Sequence, residues 1–112
     1  MLQSKTRAWV SVDRNAILHN VEEIKKLLDE DSEIMAVVKA NAYGHGDTVI
    51  AKLLENNGIH TFAVSSVDEA LNLRRVGVSG DILILGYTPP VHFHYLIEEN
   101  LLQNFLSLDY AK

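Results

Sequence analysis

The chain has 112 residues, 47% of them hydrophobic and 22% charged, with a formal net charge of −5 and no cysteine. That size supports one domain with a modest core, and the balance of residues excludes a disordered chain. The acidic charge provides no footprint for nucleic acid or an anionic membrane, and the lack of cysteine excludes disulfides and thiolate metal sites.

From the start of the chain, Met1 to Arg7 lack the apolar run of a signal peptide, and no later stretch approaches the roughly 20 apolar residues of a membrane helix. A cytoplasmic protein is the expectation. Ile17, Val21, Ile24 and Leu28 recur at spacings of four, three and four, one face of a helix that Asp13 or Asn15 can cap and Asp29 to Glu33 leaves. Ile34 to Ala40 is short, apolar and continuous, the signature of a strand buried on both faces. Gly44-His45-Gly46-Asp47 breaks it, and Val49, Ile50, Leu53 and Leu54 mark a second helical face that stops at Asn57-Gly58.

The alternation then repeats. Thr61 to Ser65 predicts a strand, and Ser66-Val67-Asp68-Glu69 is a capping box that opens a helix ending near Gly77. Its Arg74-Arg75 pair predicts a solvated helix end that complements the dipole. Ile82 to Leu85 predicts a third buried strand, closed by Gly86. Thr88 and Pro89 suit an N-cap and first helical position for a helix reaching Glu99. Leu101 to Leu106 predicts a fourth strand, and Ser107-Leu108-Asp109 another helix start.

Short strands alternating with helices imply βαβ units and a parallel sheet, either an open doubly wound sheet or part of a (β/α)8 barrel. A closed barrel needs about 250 residues, so this chain supplies about half of one: roughly four parallel strands alternating with helices. A sequence that stops on a helix start favours a truncated chain.

Lys39 is the residue with chemical promise. Met35, Val37 and Lys39 alternate onto one face of the first strand, and parallel α/β folds carry their sites at C-terminal strand ends. A lysine desolvated there can attack a carbonyl and form a Schiff base. Placement alone equally allows a lysine that reaches from the strand end to solvent. Tyr43 lies four residues on, between the strand and two glycines that permit unusual backbone angles, where a phenol can meet a phosphate or simply pack at a rim.

The segment Ala36-Val37-Val38-Lys39-Ala40-Asn41-Ala42-Tyr43-Gly44-His45-Gly46 closely resembles the pyridoxal-phosphate attachment motif of the alanine racemase family. The Val-Lys-Ala-Asn core is similar to one in fold-type III decarboxylases, and the Ala-Tyr-Gly-His-Gly extension points to racemases. Arg7 to Asp13, Ser66 to Ala70 and Ile82 to Gly86 resemble segments of the same family in the same order. The resemblance covers nearly the whole chain but the first third of a typical racemase. It implies that residues 1–112 are the N-terminal part of the pyridoxal-phosphate-binding barrel domain, without the C-terminal β-domain. Lys39 would be the catalytic residue, holding the cofactor through its amine and exchanging the α-proton on one face. Tyr43 would lie at the cofactor phosphate. Leu85, which composition alone makes a core leucine, would line the cofactor pocket. The implied activity is interconversion of L- and D-alanine, a supply of D-alanine as a peptidoglycan precursor, by a homodimer acting on a small amino acid.

Racemisation needs proton exchange on both faces, hence two acid/base groups. In this family the second is a tyrosine of the partner's β-domain, so these residues alone are expected not to turn over. A half-barrel with unpaired first and last strands is also expected to self-associate. Two rival functions share the motif: a serine racemase of the same family, and a non-racemising cofactor-binding barrel protein. A third is a doubly wound binding module in which Lys39 is structural. His92 and His94, two apart on a helix, point different ways and form no metal site. His45 is expected to order its turn, while His19 and His60 have no assignable role.

Overall fold

The computed structural model describes residues 8–112; Arg7, the first residue of the segment Arg7 to Asp13, lies outside them. Helix α1 (Arg14–Lys25) is capped by Asp13, whose carboxylate accepts the Ala16 N–H at 3.1 Å. Asn15 lies inside the helix and is not a cap. Strand β1 (Met35–Val37) follows, then α2 (Lys39–Tyr43), a turn of unusual hand described below, and α3 (Asp47–Glu55). Next come β2 (Thr61–Val64), α4 (Val67–Arg75) and β3 (Asp81–Ile84). A 3-10 turn (Pro90–His92) leads into α5 (Phe93–Glu98), β4 (Leu102–Gln103) and α6 (Leu108–Ala111).

All four strands are parallel and lie in the order β1-β2-β3-β4. The order never reverses, so the sheet has no switch point of the doubly wound kind. The helices cover one face. Val38, Phe62, Val64, Ile82 and Ile84 are buried there against Ile50, Ala51 and Leu54 of α3 and Val67, Ala70 and Leu73 of α4. On the other face the register aligns Val37, Ala63, Leu83 and Leu102 in one row. Met35 and Val37 are each 42% exposed and Leu102 49%, so this face is open at its outer strands, while the small Ala63 between them is buried. One covered and one open face, with consecutive strand order, is a half-barrel.

Several expectations change at this level. The first strand is buried on its helix side alone, because no layer within the described residues covers Met35 and Val37. It also ends at Val37 rather than Ala40. The face of α1 holds for Ile17 and Val21, but Ile24 is 48% exposed and Leu28 lies beyond the helix. On α3, Val49 is 61% exposed and Ala51 takes its place inside. The fourth strand is two residues long. Proline does open the segment after β3, but it is Pro90 at the start of a 3-10 turn. Thr88 is fully buried instead of capping: its hydroxyl donates to Gln103 Oε1 at 2.6 Å, and its backbone N–H and C=O both bond the Tyr110 hydroxyl.

Arg74 is the largest departure. It is not a solvated helix end. Its guanidinium donates to the carbonyls of Glu99 (2.9 Å), Val78 (2.8 Å), Gly80 (2.8 Å) and Asn100 (3.1 Å). One planar fork thus ties α4 to the segments entering β3 and β4. Arg75, its neighbour, is exposed and bonds the Asn72 side chain.

Candidate active site

Pairing runs on past the assigned strands. Val38 N–H donates to Ala63 O (2.9 Å), Leu85 N–H to Val64 O (2.8 Å) and Asn104 N–H to Ile84 O (3.0 Å). Beyond the open-face row of Val37, Ala63, Leu83 and Leu102, the Gly86 N–H donates to Ser65 O (3.1 Å) and carries the β2–β3 pairing on to Ser65 and Leu85, while Lys39 opens α2 after Val38, whose ψ of 22° ends the strand. Lys39 and Leu85, predicted separately as site residues, thus each follow the C-terminal end of a strand, Lys39 after β1 and Leu85 after β3. Lys39 is partly buried and Leu85 is 37% exposed. Among the described residues no ion pair engages the Lys39 amine.

The backbone after Lys39 has the wrong hand for an ordinary helix. Ala40, Asn41, Ala42 and Tyr43 all have positive φ, between 51° and 56°, and Gly44 continues at 93°. Each alanine or tyrosine held there is disfavoured by about 1–2 kcal/mol. Local bonds offset the strain. Ala42 N–H donates to Val38 O, and Asn41 O accepts from Gly44 N–H (3.1 Å) and Gly46 N–H (2.9 Å). The Asn41 side chain accepts the Asp47 N–H at 3.0 Å, capping α3 from outside because Gly46 has no side chain to do so. His45 Nδ1 bonds Ala42 O at 2.9 Å, the turn-ordering role expected of it. The turn carries Tyr43 to the surface, 63% exposed.

Glu69 braces the same turn from α4. The capping box is half realised: Ser66 Oγ accepts the Glu69 N–H at 3.3 Å, as predicted. The Glu69 carboxylate turns instead to residues before the helix. Oε1 accepts from the Ser65 N–H (2.7 Å) and the Ser65 hydroxyl, and Oε2 accepts from the Ala40 N–H at 2.7 Å. Neither Glu69's reach to Ala40 nor Asn41's to Asp47 was foreseen. The capping-box spacing pointed to Glu69's helix, not to a partner 29 residues away.

At the opposite end of the sheet Glu55 plays a similar part, accepting the Ser79 and Gly80 N–H groups, each at 2.8 Å, and pairing with Lys52 at 3.5 Å. Burial pushes both carboxyls upward. The hydrogen bonds from Ser65, Ala40 and Ser66 to Glu69, and those from Gly80 and Ser79 with the Lys52 charge at Glu55, outweigh it. Both are held below the ordinary 4.5. The unfolded chain therefore binds more protons in this range. The stability these groups contribute is complete above 4.5 and is lost as pH falls through their lowered folded values. Urea denaturation followed from about pH 6 to about pH 3 should show falling stability, with a shallower fall in Glu55→Gln. An identical slope in that variant would contradict the assignment.

His92 stacks near Tyr95, with ring centroids 5.8 Å apart, and His94 bonds Val91 O through Nδ1. Among the described residues no three His, Asp or Glu side chains gather as metal ligands, and no helix is long and apolar enough to cross a membrane.

Four βα units in consecutive order, with a lysine and a phenol on the turn that leaves the first strand, define the class: the N-terminal half of a (β/α)8 barrel domain. Residues 12–112 match the family model for the N-terminal domain of alanine racemase, and the chain belongs to that family. Alanine racemase 1 of Caldanaerobacter subterraneus subsp. tengcongensis is 45% identical over 107 residues, 96% of this chain and 27% of that protein. A serine/alanine racemase of Enterococcus gallinarum is 41% identical over 105 residues, 94% of this chain and 15% of that protein. The crystal structure of alanine racemase from Bacillus anthracis with bound L-Ala-P superposes with a TM-score of 0.86 at 41% identity, covering 91% of this chain and 26% of that one. The chain thus spans about a quarter or less of the length of these relatives.

Proposed function

We propose that residues 1–112 are the N-terminal part of the cofactor-binding barrel domain of a pyridoxal-phosphate-dependent amino-acid racemase, with alanine as substrate. The observation that carries this reading is the Lys39 amine, without an ion-pair partner among the described residues, on a left-handed turn at the mouth of β1. The groups around it suit the cofactor: a primary amine for its aldehyde, the exposed Tyr43 phenol as a donor for its phosphate, and the Leu85 side chain at the C-terminal end of β3 as an apolar wall. When bound, pyridoxal phosphate supplies an electron sink that makes the substrate α-proton acidic. Lys39 then holds and returns that proton at Nζ on one face. The turn fixes where Nζ stands, and Tyr43 orients the phosphate end.

Proton exchange on the opposite face requires a second group, which in this proposal comes from outside these residues, from the partner subunit of a homodimer. Purified as 112 residues, the chain is therefore expected to give no measurable interconversion of L- and D-alanine in a coupled assay. Turnover by this chain would sink the two-base division proposed here. Cytoplasmic D-alanine supply for peptidoglycan is the proposed role of the whole protein. The open apolar face and the unpaired edges of β1 and β4 also support self-association.

A second reading, serine as an additional substrate, is favoured by the similarity to the serine/alanine racemase of Enterococcus gallinarum. Binding is tested by adding pyridoxal phosphate, reducing with borohydride and mapping the labelled peptide. Label on Lys39 supports the reading, and label scattered over surface lysines overturns it.

A further inference from the structure

We propose that Glu69 is a positioning residue for Lys39, acting by clamping the first peptide N–H of the left-handed turn to the start of α4. This rests on the reading of Lys39 as the cofactor-bearing amine. Ala40 directly follows Lys39, and among the described residues its N–H is the only one in the turn held by a side chain from another element. The bond is short, 2.7 Å, and its acceptor is charged, which makes it among the stronger kinds of hydrogen bond. Both carboxylate oxygens are committed, Oε1 to Ser65 and Oε2 to Ala40.

Ser65 directly follows β2, the strand paired with β1, at the same end of the sheet as Lys39. The carboxylate therefore joins three pieces at one point: the exit of β1, the exit of β2 and the first turn of α4. A left-handed run of four residues has little intrinsic preference to persist. Its first N–H is where a fixed anchor does most to set the direction in which Lys39 leaves the strand. Glutamate suits this place and glutamine does not. A carboxylate accepts at both oxygens, whereas an amide must turn its NH2 toward one of two N–H donors.

The competing role is that of a simple helix cap, and Ser66→Ala separates the two, since it removes the Ser66 Oγ bond and leaves the carboxylate in place. Amide hydrogen exchange at Ala40, thermal melting and pyridoxal phosphate titration with borohydride trapping are measured on the unsubstituted chain, Glu69→Gln and Ser66→Ala. In Glu69→Gln we expect Ala40 to exchange about tenfold faster or more, and half-saturation of Lys39 labelling to need about tenfold more pyridoxal phosphate. Ser66→Ala is expected to lower the melting temperature and leave both of those readouts unchanged. Glu69→Asp keeps the charge at the helix start but cannot span both partners, and it serves if Glu69→Gln does not fold; its expected behaviour is the same. Equal Ala40 exchange in the glutamate and serine variants overturns the clamp. Faster exchange with unchanged labelling overturns its positioning of Lys39. Failure of the unsubstituted chain to be labelled at Lys39 overturns the cofactor reading instead, and Ala40 exchange then decides the clamp by itself.

Discussion

Replacing Lys39 with alanine is expected to abolish borohydride-trapped pyridoxal phosphate and leave the melting temperature within about 2 °C of the parent chain. The large half of that expectation follows from chemistry, because no other side chain on the turn offers an amine to the aldehyde. The small half follows from the packing: among the described residues Lys39 forms no ion pair, and an exposed or half-exposed side chain of that kind contributes about 0.5 kcal/mol or less to stability. Lys39→Arg sharpens the test. It preserves the positive charge for the phosphate but cannot form the imine, so reversible binding without trapping is expected. Tyr43→Phe should keep the trapping and weaken affinity about tenfold, the loss of one bond to a charged oxygen. Trapped cofactor in Lys39→Ala at the parent stoichiometry would move the site elsewhere.

Arg74→Ala should destabilise the chain by about 3 kcal/mol, the largest loss expected from a single polar residue here. Its four carbonyl acceptors come from two chain segments that enter adjacent strands, and the alanine variant leaves part-buried carbonyls without their donor. Arg74→Lys should recover less than half of this, since one ammonium cannot reach the spread that a guanidinium covers. Urea midpoints of the three chains at fixed pH decide the matter. A lysine variant as stable as the parent would show that charge, rather than the fork, is what the site requires.

Much of the fold was legible because its signals are local. The capping role of Asp13, the Ser66-to-Glu69 box, the αL stop at Gly58 and the strand at Thr61 depend on residues a few positions apart. The choice between a half-barrel and a doubly wound sheet was not local. It turned on which side each helix packs, and the apolar pattern of β2 and β3 gives no side. The continuous apolar run Ile34 to Ala40 misled about burial for the same reason. A strand meant to be covered twice reads alike whether or not its second cover lies within the same stretch of chain.

The site divided in the same way. Lys39 and Tyr43 were legible as residue types at a strand end, and the motif around them carried the family. The shape of their backbone was not, since Ala40 and Ala42 have no sequence preference for positive φ. Arg74 was misjudged because a basic residue in the last helical turn is most often explained by the dipole, and its four acceptors lie in segments the helix itself does not specify. Glu69 was found for the nearer of its two tasks.

The consecutive strand order has a consequence for how the chain is made. Met35 pairs with Thr61, Thr61 with Asp81 and Leu83 with Leu102, so each strand docks on the one synthesised just before it. Among the described residues no pairing waits for a distant segment, which keeps loop closure short and favours folding of this half in the order of emergence from the ribosome. Glu69 lies in the helix after β2, so Ala40 meets its clamp when the second βα unit forms. The lysine's turn would then be set early, with β3 and β4 still to be added to the growing edge.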